Sequence, residues 1–257
     1  MIRKVFVENQ GAVSVITMDA SPGLNTVDPE FCAQMLAALD EATHSPNTRT
    51  VVLQGSRKLF SAGGSLPYIK HTLESPGELL ASLIDAFHEV ILTIRRIPIP
   101  VIASVHGAAA GAGFSLAMAC DLIVAADTAR FVVGYSKLGT SSDGGLTFQL
   151  SRRLGSRRAM EVFLLMESLD AALACEMGLV NRVTNEIDLR RDTLLLAERL
   201  AAQEPEAVCA IKGLLNLSTG PGLEEHLQRE KHAFLRCAAT PEFRERVMNF
   251  GGPVNKG

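Results

Sequence analysis

Between Val101 and Cys120 the chain runs VIASVHGAAAGAGFSLAMAC, twenty residues without a formal charge, and no other stretch restricts the fold so strongly. Such a segment is hidden either in a membrane or inside a globular core as a buried strand, a tight turn and a buried helix. Gly107 and Gly111 even stand in the G-x-x-x-G spacing of packed membrane helices. Composition and flanks decide against a span: Gly and Ala dominate, His106 sits inside, IPIP precedes it and Asp121 follows it. The expectation is a strand, turn and helix at the centre of a core, without membrane association.

The surrounding pattern supplies such a core. KVFVENQGAVSVITMD alternates apolar and polar residues on both sides of NQG, which predicts a β-hairpin. Asp28 then offers an N-cap, Pro29 fits the first helical position, and FCAQMLAALDEA supplies an apolar stripe. TRTVVLQGS reads as a buried strand. From Leu79 to Arg96, Leu80, Leu83, Ile84, Phe87, Val90, Ile91 and Ile94 recur at helical spacing. PVIASVHG, FSLAMACD and LIVAA follow as strand, helix and strand, and beyond about residue 186 four helical patterns succeed one another, the last started by Thr240-Pro241-Glu242. The reading is an α/β core with a C-terminal helical extension. The stretch 68–80, containing HTLESPGELL, has no predictable shape and is expected to be a mobile loop lining any pocket.

Charge and cysteine usage exclude several partners. With 25 Lys and Arg against 28 Asp and Glu, scattered along 257 residues, there is no basic patch to capture nucleic acid. The five cysteines, Cys32, Cys120, Cys175, Cys209 and Cys237, form no C-x-x-C pair, so neither a disulfide framework nor a zinc knuckle fits. MIRKVFVENQ alternates where a secretory signal would be continuously apolar. A cytoplasmic protein acting on small molecules is expected.

Two glycine-rich segments each follow a strand: LFSAGGSLPYI at 59–69 and HGAAAGAGFSLA at 106–117. Small residues there let backbone N–H groups approach a ligand, and two such groups converging on one point would make an oxyanion hole. The second segment fails as a dinucleotide fingerprint, because Gly111-Ala112-Gly113 lacks the third glycine at the required spacing. GFSLA approaches a nucleophile elbow with Ser115 as nucleophile and His226 or His232 downstream. Ser115 comes ten residues after Val105, however, inside a helical pattern, and reads better as a buried small polar residue.

FSAGGSL, then IPVIASVHGAAAGAGFSLAMACDLIVAADTARF, LGTSSDGG and EMGLVNRV occur in an order and spacing that resembles the crotonase superfamily, the enoyl-CoA hydratase/isomerase family. The resemblance covers nearly the whole chain. It implies a crotonase-like spiral of ββα units over residues 1–190 and a helical trimerisation region over 191–257, giving a homotrimer or a dimer of trimers. It also implies an acyl-CoA thioester substrate, with coenzyme A entering as part of that substrate and with neither metal nor nicotinamide.

By motif position, the two carbonyl-binding amides of the family fall on Gly64 and Ala112. The family usually has glycine at the second place, and a methyl there would restrict the turn if φ were positive. Ala62, Gly64, Ser65, Leu66 and Pro67 match the loop beside the acyl-CoA, and Phe250 resembles a C-terminal aromatic near the nucleotide. The basic pair that often follows that aromatic is absent from GGPVNKG. The family's two catalytic glutamates fall on Ser115 and Tyr135, neither of which can act as a carboxylate, so paired-glutamate hydration is not expected.

The carboxylate that remains is Asp143, in GTSSDGGLTF. On its own, Asp before Gly-Gly reads first as a turn residue bonding its own backbone, and only the resemblance turns the reading toward catalysis. In the family, a carboxylate at this place moves a proton in some double-bond and ring isomerases, and attacks the aromatic ring in 4-chlorobenzoyl-CoA dehalogenase. Tyr135, eight residues earlier, is a candidate donor to it. His88, about 40° outside the apolar stripe of its helix, is either a structural histidine or, by the resemblance, a base that activates water. His106 is assigned to loop structure. The expected function is an enoyl-CoA double-bond or ring isomerase using an oxyanion hole and Asp143 as acid/base. The alternatives are an acyl-CoA hydrolase with Asp143 as nucleophile and His88 as base, and a non-catalytic acyl-CoA binding subunit.

Overall fold

A computed structural model describes residues 3–20, 24–56, 58–74, 76–217 and 222–249. The hairpin is present: β1 (Val5–Gln10) pairs antiparallel with β2 (Val13–Met18). After the short β3 (Thr26–Val27), α1 (Pro29–His44) starts where Asp28 accepts the Phe31 N–H at 2.8 Å, and it buries Phe31, Met35, Leu39 and Ala42. β4 (Thr50–Gly55) and the two-residue β5 (Gly63–Gly64) follow.

The segment expected to be an irregular loop over 68–80 is helical wherever it is described. α2 (Leu66–His71) leads through a 3-10 turn (Thr72–Glu74) into α3 (Pro76–Arg96). The cue was Ser65-Leu66-Pro67: Ser65 Oγ accepts the Tyr68 N–H at 3.4 Å, and Pro67 occupies a first-turn position where no N–H is required. All seven stripe residues of α3 are buried, and His88 is buried with them at 3% exposure.

The uncharged stretch resolves into β6 (Val101–Val105), β7 (Ala108–Ala110) and α4 (Ala112–Ala119). AAA, read as turn, is a strand, because it finds a parallel partner in β9 (Arg130–Val132), which comes after β8 (Leu122–Ala126). Next come α5 (Tyr135–Leu138), α6 (Leu146–Leu164), β10 (Leu169–Asp170), α7 (Ala171–Glu176) and β11 (Arg182–Thr184). The remainder is helical: α8 (Leu189–Ala201), α9 (Pro205–Leu217), α10 (Leu223–Ala238) and α11 (Pro241–Asn249). Phe250 lies outside the described residues.

The main sheet has the order β1-β2-β4-β6-β8-β11, parallel except for the β1–β2 hairpin. Its central strands carry apolar residues at consecutive positions, as strands covered on both faces must. α8 lies on β2, β4, β6 and β8, so the packed core continues past residue 190, while α10 lies on α3 and α11 on α2 and α5. Among the described residues no helix is long and apolar enough to cross a membrane.

Short strands outside the main sheet carry the two glycine-rich segments. β3 pairs with β5, and β7, β9 and β10 form a second small sheet. Ser61 joins the two: its N–H donates to Ala108 O at 3.1 Å and its carbonyl accepts from the Ala110 N–H at 2.9 Å. Gly63 is held at φ +90°, where a Cβ would lie 2.5 Å from Ala110 O and 3.3 Å from the Ala112 nitrogen. Gly63→Ala therefore meets both an unfavourable backbone conformation and a steric overlap, and is expected to cost about 3 kcal/mol in urea unfolding. An unchanged midpoint would mean that the two segments do not touch.

Candidate active site

The first part of the site is the meeting of the two glycine-rich segments. Ser65 N–H donates to Val27 O at 2.8 Å, which docks β5 on β3. α4 begins beside this turn, since a Cβ on Gly63 would lie 3.3 Å from the Ala112 nitrogen. Ala112 is its first residue, so its N–H has no carbonyl one turn back to bond; the first intrahelical bond runs from Ser115 N–H to Gly111 O at 3.0 Å. Gly111 takes the positive φ, +50°, and Asn25 is the only non-glycine residue with positive φ among the described residues. The methyl of Ala112 therefore imposes no strain on this turn. Ala62 N–H is bound to Leu24 O, Leu66 opens α2, and Pro67 is exposed beside them.

The second part is a knot of three side chains. Tyr135, 6% exposed at the start of α5, donates its hydroxyl to Asp143 Oδ1 at 2.5 Å. Ser115 Oγ donates to the Asp143 carbonyl at 2.9 Å and lies 3.1 Å from the Tyr135 hydroxyl. Ser115 also reaches Gly111 O at 3.3 Å. This hydroxyl, wholly buried within α4, braces the loop of Asp143 one helical turn from Ala112, which is the buried polar role expected of it and leaves no elbow geometry. His226, the partner an elbow would need, is engaged by Thr147 Oγ1 at 2.6 Å.

Burial and partners set the proton affinities here. Desolvation raises the half-buried Asp143 carboxyl to about 7; the Tyr135 hydroxyl pulls it down and the charge of Glu230 pushes it up. Tyr135 is driven well above its ordinary value, chiefly by burial and then by the Asp143 charge, so it remains a protonated donor. His88 lies on the adjacent turn of α3, and its Nε2 accepts the Gly144 N–H at 3.4 Å. That bond puts the ring proton on Nδ1, which is buried without a partner among the described residues. Burial lowers the His88 pKa to about 4, so the ring is neutral at physiological pH. Gly144 itself, at φ +61°, has no room for a side chain: a Cβ would stand 2.4 Å from the Phe87 ring and 2.8 Å from Ser115 Cβ.

One buried neighbour of Asp143 escaped the sequence reading. Glu230, 5% exposed on α10, accepts Ser142 Oγ at 2.9 Å, Gly145 N–H at 2.7 Å and Thr147 N–H at 3.3 Å, and also bonds Thr147 Oγ1. Gly145 stands at the N-cap of α6 and has no side chain to cap it, so a carboxylate from a distant helix takes that place. In LEEHLQREKHAF Glu230 is one acid among several, 87 residues from Asp143, and only the His226–Glu230 spacing of one helical turn distinguished it.

The Enoyl-CoA hydratase/isomerase family model matches residues 8–252, and the chain belongs to that family. It is an acyl-CoA enzyme by that membership. The chain is 31% identical over 239 residues to the 1,2-epoxyphenylacetyl-CoA isomerase of Escherichia coli (strain K12), covering 93% of this chain and 91% of that one. It is 30% identical over 250 residues to 4-chlorobenzoyl coenzyme A dehalogenase-2 of an Arthrobacter species, covering 96% and 90%. The crystal structure of an enoyl-CoA hydratase from Polaromonas sp. JS666 superimposes with a TM-score of 0.81 at 36% identity and covers 96% of each chain.

A carboxyl raised to about 7 has a stability signature. From about pH 4 to 7 the folded protein keeps a proton that the unfolded chain has lost, so stability falls as pH rises through that window. Above it the buried charge is a constant burden. Asp143→Asn is expected to melt at a higher temperature than the wild type at pH 8, with the gap closing toward pH 4. A gap independent of pH would place the carboxyl at an ordinary value.

Proposed function

We propose that the protein is an acyl-CoA isomerase that relocates a proton next to the thioester carbonyl. In this reading the Asp143 carboxylate removes a proton from the carbon beside the carbonyl. The electron pair moves onto the thioester oxygen, which the Gly64 and Ala112 N–H groups hold as an enolate, each donor worth roughly 3 kcal/mol. The proton on Asp143, free to exchange with solvent while the enolate persists, then returns to the substrate at a different carbon, so the double bond or ring has moved with the substrate's composition unchanged. Tyr135 orients Oδ1 and leaves the other carboxylate oxygen to meet the substrate.

The observation that carries the reading is the state of Asp143. A carboxyl at about 7 takes and releases protons readily near neutral pH, which is the requirement of a shuttle. Ser115, bonded both to Asp143 O and to Gly111 O, ties it to the start of α4. A 1,2-epoxyphenylacetyl-CoA isomerase among the relatives agrees with it.

A second reading has its own support in the dehalogenase relative: Asp143 attacks as a nucleophile and His88 activates the water that releases the product. Against it, the His88 nitrogen that would receive the water's proton is turned onto the Gly144 N–H. Assembly belongs to the same proposal: α9 exposes Ile211, Leu214 and Leu215 at 57%, 67% and 63%, an apolar face fitted to contact between copies in a homotrimer.

The test is deuterium exchange and turnover across a panel of acyl-CoA esters, followed by mass spectrometry. Asp143→Asn is expected to lose roughly 10²–10⁴-fold in both, and wild-type kcat/KM is expected to rise with pH to a plateau above about 7, because the base must be deprotonated. Exchange undiminished in Asp143→Asn would remove the proposal. Single turnover in water enriched in heavy oxygen separates the two readings, since a nucleophilic Asp143 delivers an unlabelled oxygen to product and a proton shuttle delivers none.

A further inference from the structure

Among the described residues Glu230 is the one buried carboxylate near the site that the proposed reaction does not use, and its bonding is unusual. It holds the chain on both sides of Asp143: Ser142 Oγ before it, and the Gly145 and Thr147 N–H groups after it. Among the described residues no other side chain caps α6, because Gly145 stands at the cap position. The segment 142–147 that carries Asp143 is thus held by one carboxylate from α10, while Ser115 and Tyr135 bond Asp143 itself. We propose that Glu230 is a positioning residue for Asp143: it clamps the 142–147 turn in register and, as a neighbouring negative charge, keeps Asp143 a strong enough base. The inference rests on the role given above to Asp143.

The charges around the pair agree with this division of labour. Asp143 is faced by Tyr135 from α5, by Cys32 from α1 within electrostatic reach, and by Glu230 from α10, with His88 of α3 bonded to the next residue's N–H. Asp85 and Lys231, joined to each other, oppose one another in their influence on His88. Glu230 is faced by His226 at 3.5 Å and by Thr147. Burial alone would raise the Glu230 pKa, but the bonds from His226, Thr147 and Gly145 bring it below the ordinary carboxylate value, so it stays ionised while Asp143 titrates. A like charge that is itself fully bonded disfavours the second ionisation without competing for the proton.

Glu230→Gln keeps the shape and removes the charge. With vinylacetyl-CoA as probe, kcat for proton transfer is expected to fall roughly tenfold with KM within about twofold, and the acid limb of the pH profile to move below that of the wild type. Carbon-13 NMR of aspartate-labelled protein, with the Asp143 signal assigned by its loss in Asp143→Asn, is expected to show the same downward move without any need for turnover. A fall in kcat with the acid limb and the Asp143 titration unmoved reduces Glu230 to a helix cap and overturns the proposal, as does no change in either. If Glu230→Gln does not fold, Glu230→Asp carries the test: the charge stays and the clamp draws back, so kcat falls several-fold with the acid limb in place, and unchanged kcat overturns the proposal. Asp143→Asn that still exchanges protons defeats the catalytic role of Asp143 instead, whatever Glu230 does to its titration.

Discussion

The structure turns on a carboxylate taken out of water with one strong donor to hold it. Asp143 loses hydration in the loop between α5 and α6, and its carboxyl receives in return the Tyr135 hydroxyl and, with a smaller effect, its own backbone N–H. Two or three donors would make it a comfortable, inert anion; none would keep it protonated throughout the physiological range. One strong donor set against burial and the Glu230 charge leaves its affinity for a proton near neutrality. The position costs stability, and the surrounding structure supplies it: a helix serine, a capping glutamate and a glycine with no room for a Cβ all hold the loop in place.

That arrangement also gives a role to the two hydroxyls at the positions where the resemblance led us to expect the family's glutamates. Ser115 and Tyr135 lie 3.1 Å apart. The hydroxyls have become the support for a third position, eight residues beyond Tyr135. Because the site is assembled from β5, α4, α5, the loop before α6 and the distant α10, one part can change its chemistry while the turns presenting Gly64 and Ala112 stay fixed. The C-terminal helices accordingly belong to the site as well as to the packing, since α10 lies on α3 and sends Glu230 to the Asp143 loop.

Much of this was legible because the sequence repeats its signals locally. The α3 stripe, the Asp28-Pro29 start of α1 and the alternation around NQG each follow from residues within a dozen positions, and each element stands where these patterns put it. The bond from Tyr135 to Asp143 was anticipated from their spacing, and the burial of Ser115 from its place in a helical pattern, whereas the bond from Ser115 to the Asp143 carbonyl was not. What could not be read was contact between distant segments. Ala108–Ala110 is a strand only because Arg130–Val132 lies beside it, and alanine has no strand preference to announce it. The helix over Leu66–His71 was hidden by a Ser-Leu-Pro sequence that also suits a loop, although it is a cap followed by a first-turn proline. Glu230 was illegible because a buried glutamate and an exposed one look alike in an amphipathic helix.

The account stands on the proton affinity of one side chain, and infrared difference spectroscopy between the wild type and Asp143→Asn reads it directly. A protonated carboxyl band present at pH 5.5 in the wild type alone, vanishing with a midpoint near 7, is the predicted result. A carboxylate already ionised at pH 5.5, with a midpoint near the ordinary aspartate value of about 4, would contradict it.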